Sequence, residues 1–147
     1  MMGKRVLSVV LTLLMAAALA ACTTVSRTTY KVVSQQSKEV AFYATILALQ
    51  ERKYALERAD LKSGYILTKR RAHESGSFWW QLVCTVDDNG VVTIDIKSNL
   101  VSDTSMHRRA RHWIHQIKKG TERVLETYSP QSIVQQGKAA LAAMLAG

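Results

Sequence analysis

The sequence predicts an α+β domain: a four-stranded antiparallel sheet, with a short fifth strand at its N-terminal side, packed on one face by two helices and followed by a C-terminal helix. Three patterns predict it. Phe78, Trp80, Leu82, Cys84 and Val86 alternate with their neighbours, and a period of two marks a strand that turns one face to a core. Val92, Ile94 and Ile96 repeat the pattern beyond Asp87-Asp88-Asn89-Gly90, which has the composition of a hairpin turn. Before and after these strands, apolar residues recur at helical spacing from Val40 to Ala48 and from Met106 to Tyr128.

In chain order, Tyr30-Lys31-Val32-Val33 reads as the short strand. Ser34 or Ser37 suits a helix N-cap, where a side-chain oxygen accepts from an otherwise unpaired backbone N–H. In the helix that follows, Val40, Tyr43, Ala44, Leu47 and Ala48 share one face, and Phe42, Ile46 and Leu49 widen it. Such a helix should be deeply packed. Tyr54–Ala59 and Tyr65–Arg71 read as a first hairpin around Asp60-Leu61-Lys62-Ser63-Gly64, whose Asp and Gly suit a turn. After the loop Ala72–Ser77 comes the second hairpin, in which Asn89 and Gly90 both tolerate positive φ.

Ser102, Asp103, Thr104 and Ser105 are candidate caps for a long helix reaching about Tyr128. Its stripe is Met106, Ala110, Trp113, Ile114, Ile117, Val124, Leu125 and Tyr128, with Gly120 as a place where it loosens or bends. Ser129-Pro130 ends that helix and starts another, Ser129 as N-cap and Pro130 at the first helical position. Ile133, Gly137, Ala140, Leu141 and Met144 form its packing stripe.

The beginning of the chain has a different character. Lys4 and Arg5 precede an uncharged stretch, Val6–Leu19, which is the layout of a signal peptide. That stretch falls short of the about 20 apolar residues a spanning helix needs, so a cleaved leader is expected. It ends in Leu19-Ala20-Ala21-Cys22, which resembles the lipobox of bacterial lipoproteins: an aliphatic residue, two small ones and a cysteine. The resemblance implies cleavage before Cys22 and a thioether-linked diacylglycerol on its sulfur, the only cofactor-like group expected. Residues 1–21 are then the leader, 22–29 a polar, hydroxyl-rich lipidated tether, 30–128 the α+β domain and 129–147 the terminal helix.

In lipoproteins of enteric-type bacteria an Asp directly after the lipidated cysteine favours the inner membrane, and here that position is Thr23. The resemblance therefore implies the outer membrane, facing the periplasm, with the outer leaflet of the inner membrane as the alternative. Phe42 to Leu49, the pattern Asp60-x-x-x-Gly64-x-Ile66-x-Thr68 and the strands after it also resemble the small α+β domains of bacterial envelope lipoproteins, including the BamC-type component of the outer-membrane assembly machinery. This likeness covers Tyr30 to Tyr128 and implies a fold more than an activity.

Charge and chemistry narrow the function. The chain carries 20 Lys and Arg against 11 Asp and Glu, a net +9, and it stays basic once Lys4 and Arg5 leave with the leader. With Cys22 lipidated, Cys84 is the one remaining thiol, so an internal disulfide is excluded and packing must hold the fold. Cys84 alternates onto the inward face, where a cysteine behaves as a small hydrophobe. With no Ser-His-acid arrangement and no glycine-rich phosphate loop, and with Asp87-Asp88 explained by its turn, an enzyme is not expected. His112 and His115 offer two nitrogens at i, i+3, and His107 lies on the same helix. A zinc site needs three or four ligands, and Arg108, Arg109 and Arg111 repel a cation, so no metal is expected.

Those arginines, with Lys118, Lys119 and Arg123 and the separate run Lys69-Arg70-Arg71, suit an anionic lipid surface, an acidic partner or plain solvation. Nucleic acid fits the composition but not export. Trp79, with Val83 and Val91, must face away from Trp80: it is either part of a partner-binding surface or covered by the terminal helix. The expected function is a lipid-anchored, non-enzymatic envelope module that binds a protein or helps assemble a complex. The alternative is a carrier or sensor of a small apolar ligand held between sheet and helices.

Overall fold

A computed structural model of the protein describes residues 26–33, 35–76, 78–99 and 104–147. The elements in order are β1 (Ser26–Val33), α1 (Lys38–Glu51), β2 (Leu56–Asp60), β3 (Tyr65–Thr68), β4 (Arg71–Ala72), β5 (Trp79–Val86), β6 (Val91–Ser98), α2 (Thr104–Thr127) and α3 (Pro130–Ala146). The fold is α+β, with antiparallel pairing throughout in the order β1-β6-β5-β3-β2. Two-residue β4 also pairs with β5, continuing the line of β3. The leader, Cys22, the first tether residues, and the cap candidates Ser34, Ser102 and Asp103 lie outside the described residues, as do the side chains of Met106 and His107.

The strands follow the expected alternation, and Leu82, Cys84, Val86, Val92, Ile94 and Ile96 are all buried. β1 is longer than expected. Ser26 pairs with Ile96 and Val33 with Val91, so the strand takes in the second half of the segment expected to be tether. A hydroxyl-rich run such as Ser-Arg-Thr-Thr has no helical period, but Thr suits a strand once an edge is there to pair with. The β5–β6 turn also differs from expectation. Gly90 alone is left-handed, at φ +74°, while Asp87 Oδ1 accepts from the N–H groups of Asn89 and Val91, both at 2.9 Å. The Asp87 carboxylate thus ties a three-residue loop, and Asn89 needs no positive φ.

Helix α1 is surrounded. Its residues from Val40 to Ile46, with Ala48 and Leu49, are buried, and it packs against β5, β6, α2 and α3. Ser37 caps it, its Oγ accepting from Val40 N–H at 3.4 Å. At the other end the N–H groups of Lys53 and Tyr54 return to the carbonyls of Gln50 and Leu49 at 2.8 and 3.0 Å, a double closure that puts Lys53 at φ 58° where glycine is usual.

Small residues let the other helices approach. A Cβ on Gly120 would lie 3.1 Å from that of Ala48, so Gly120 is a contact point between α2 and α1, and α2 runs through it unbroken. Helix α3, capped by Ser129 with Pro130 in its first turn, seats Gly137 directly on Tyr43. It packs on α1 and β2, in the same layer as the other helices. Its Ile133, Ala140 and Met144 belong to the common core, so residues 129–147 are an integral part of the domain.

Because a methyl at Gly137 would drive into the Tyr43 side chain, Gly137→Ala should destabilise the domain by about 1–3 kcal/mol. Urea unfolding checks this. Unchanged stability would show that α3 is not seated against Tyr43.

Candidate functional site

With all three helices on one face of the sheet, the other face has no helix over it among the described residues. Trp79, Val83 and Val91 lie there and are half-buried, sharing the surface with Tyr65, Leu67, Thr85, Thr93 and Asp95 by register. The terminal helix does not cross them. The Arg70 guanidinium lies 4.0 Å above the centre of the Trp79 ring, a cation–π contact that covers part of it. Gln81, on the same face, is buried, its amide donating to Glu57 Oε2 at 2.8 Å and to the Thr68 carbonyl at 2.7 Å. The face is therefore a mixed one, an aliphatic strip edged by satisfied polar groups.

One end of the sheet gathers the aromatic residues. His73 stacks on Phe78 at 4.5 Å, Phe78 tilts against Trp80 at 6.1 Å, and Trp80 stacks on Trp113 at 4.3 Å with the rings 10° from parallel. Trp80 faces the helices as its parity predicts, but it is only half-buried. The reason is position: it pairs with Ser98 at the limit of the sheet, and Trp113 of α2 covers it. Its indole N–H is buried, and among the described residues no acceptor meets it in hydrogen-bond geometry. The Tyr54 hydroxyl lies nearby; burial pushes that phenol up, while the Trp80 N–H and the Arg71 guanidinium pull it down.

The basic residues divide into two groups. Arg109 Nη1 lies 3.3 Å from His73 Nε2, and Arg108 and Arg111 are exposed beside it. Lys118 pairs with Glu122 at 3.4 Å, and Arg123 pairs with Glu51. Lys119 is exposed but, ten residues beyond Arg109, lies about 15 Å further along the helix. Lys69, Arg70 and Arg71 come to the aromatic end as well, from the sheet side. There Arg71 donates to the carbonyls of Arg52 and Lys53, closing α1, and lies 3.7 Å over the Tyr54 ring. Lys69 donates to the Gly147 carbonyl at 3.0 Å. Sequence reasoning did not connect Arg70, Arg71, Tyr54 and His73 with the tryptophans; the signal was the basic run directly before the loop that returns the chain to β5.

His112 bonds Gln116 at 2.7 Å, and among the described residues no three His, Cys, Asp or Glu side chains converge as a metal site would need. A cleft of about 410 Å³ opens between α1, α2 and α3, with the Glu51–Arg123 pair on its wall. No helix among the described residues is long and apolar enough to cross a membrane. Against known proteins, no family model matches the chain, and no curated protein matches it.

Cys84 is fully buried, and burial, with a smaller effect of Asp95, pushes its thiol up to about 12 from 9.0. Below 9.0 both folded and unfolded thiols are protonated, and whatever the buried thiol contributes is fully present. Between 9.0 and about 12 the unfolded chain alone loses the proton, so stability falls as pH rises. Urea melts on either side of 9.0 should show this fall, with a shallower slope in Cys84→Ala. A native thiol that reacts freely at neutral pH would contradict the burial.

Proposed function

We propose that the protein is a lipid-anchored envelope lipoprotein, cut before Cys22, lipidated there and held at the outer membrane facing the periplasm, with a non-enzymatic domain that binds another protein. The observation that carries this reading is the one-sided layering. Among the described residues, three helices cover one face of the sheet, and Trp79, Val83 and Val91 stand on the other without a helix over them. A half-exposed aliphatic strip with a tryptophan at its end and polar groups along its edges has the make-up of a protein contact. The leader and the Leu19-Ala20-Ala21-Cys22 motif support the anchor. Each buried lipid methylene contributes about 0.8 kcal/mol, so two or more chains resist a salt wash.

Photo-crosslinking residues placed at Val83 and Val91 in the full chain, in intact envelopes, test the reading. Each should give a discrete adduct with one protein. In Cys22→Ser, fatty-acid label should be lost, the precursor should stay uncleaved and the adduct should disappear. No adduct from either position would sink the partner surface, and label retained on the mutant would sink the anchor.

A further inference from the structure

We propose that the end of the sheet carrying the three tryptophans is a membrane-docking surface that rests on anionic phospholipid headgroups, an inference that relies on the Cys22 anchor proposed above. Its first support is the direction of β1. Ser26 pairs with Ile96, and two residues further along β6, Ser98 pairs with Trp80. The lipid-bearing side of the chain therefore enters the sheet at the tryptophan end. Three residues separate Cys22 from Ser26, and the four steps from one to the other span at most about 14 Å whatever their conformation. Val91 lies five residues back along β6 from Ile96, or about 17 Å at strand spacing. An acyl group on Cys22 thus brings the tryptophan end to the bilayer before the far turns.

The chemistry of that end suits the place. Trp79, Trp80 and Trp113 are each half-buried, so each shows part of an amphipathic ring, the side chain that gathers at the headgroup level of membranes. Arg109 shares the Trp113 side of α2 and reaches His73, Arg108 and Arg111 are exposed on the solvent side of the same turns, and Arg70 lies over Trp79. Glu74 is the exposed acid of the adjoining loop. At the opposite end the turns carry Asp60, Asp87 and Asp88 against the single exposed Lys62, with Lys38 already paired to Asp88 at 2.8 Å. The domain is thus polarised along its strands, basic where the anchor enters and acid-bearing where it does not. An anionic surface attracts the first end and not the second.

The three tryptophans are all the tryptophan the chain has, so intrinsic fluorescence reports on this end alone. The full lipidated protein, purified in detergent, would be reconstituted into vesicles of phosphatidylglycerol and phosphatidylcholine in equal parts, with acyl chains brominated near the headgroup. Fluorescence should fall by roughly half against unbrominated vesicles, as for rings at the interface. The quenching should shrink in phosphatidylcholine alone, and in Arg108→Glu/Arg111→Glu, while the variant still floats with the vesicles. A protein that floats but is equally bright in both lipids overturns the docking and leaves the anchor standing, whether its tryptophans are open to aqueous iodide or shielded by another protein. Quenching indifferent to vesicle charge and to the double reversal overturns the headgroup recognition. A chain without fatty-acid label that does not float defeats the anchor itself, and this inference with it.

Discussion

Helix α1 has almost no side facing water, and the rest of the domain is arranged around that constraint. A helix apolar all round must be enclosed, and here the sheet, α2 and α3 enclose it. Gly120 opposite Ala48 and Gly137 opposite Tyr43 allow the backbones to come close, while Phe42, Ile46 and Leu49 fill the space toward the core. Burying each such large side chain contributes about 1.5–3 kcal/mol. The buried hydroxyls of the helices are satisfied locally: those of Thr45 and Thr121 donate to the carbonyls of Ala41 and Ile117, both at 2.9 Å. Charged contacts are confined to the rim, where Glu39 meets Lys138 and Glu51 meets Arg123.

Enclosing α1 uses every helix among the described residues on one face of the sheet, and that has two consequences. The opposite face keeps Trp79, Val83 and Val91 without a described helix above them. The end where β1 enters collects tryptophan and arginine, because β4 and the start of α2 both meet β5 there. On the proposed anchor these two surfaces do not compete. The strands would stand up from the bilayer on their basic end, and the uncovered face would be turned sideways, toward a neighbour in the same membrane.

Much of this was legible from residue order. Parity assigned every core residue of β5 and β6 to its face, the crowding of apolar residues between Val40 and Leu49 announced an enclosed helix, and the serines before α1 and α3 marked their starts. What was not legible depends on long-range partners. Parity tells which way Trp80 points but not where the helical cover stops, so its stacking on Trp113 and its partial exposure emerge only with the tertiary structure. Lys53 takes a glycine's conformation because the closure of α1 and the Arg71 guanidinium hold it there. The basic residues look like one cluster in the sequence, yet the rise of α2 and the pairs made by Lys118 and Arg123 divide them. Trp79 was open to two readings until α3 was located on the side of α1.

Among the described residues the sheet is covered on one face only, and β5 allows the most direct measurement of this layering. In the full chain with Cys22→Ser and Cys84→Ala, single cysteines at residues 82, 83, 85 and 86 would be exposed to a thiol reagent in the folded protein. Burial of Leu82 and Val86, half-burial of Val83 and exposure of Thr85 predict labelling of Val83→Cys and Thr85→Cys, and protection of Leu82→Cys and Val86→Cys until the protein unfolds. Equal labelling at all four positions, or the reverse alternation, would contradict the layering.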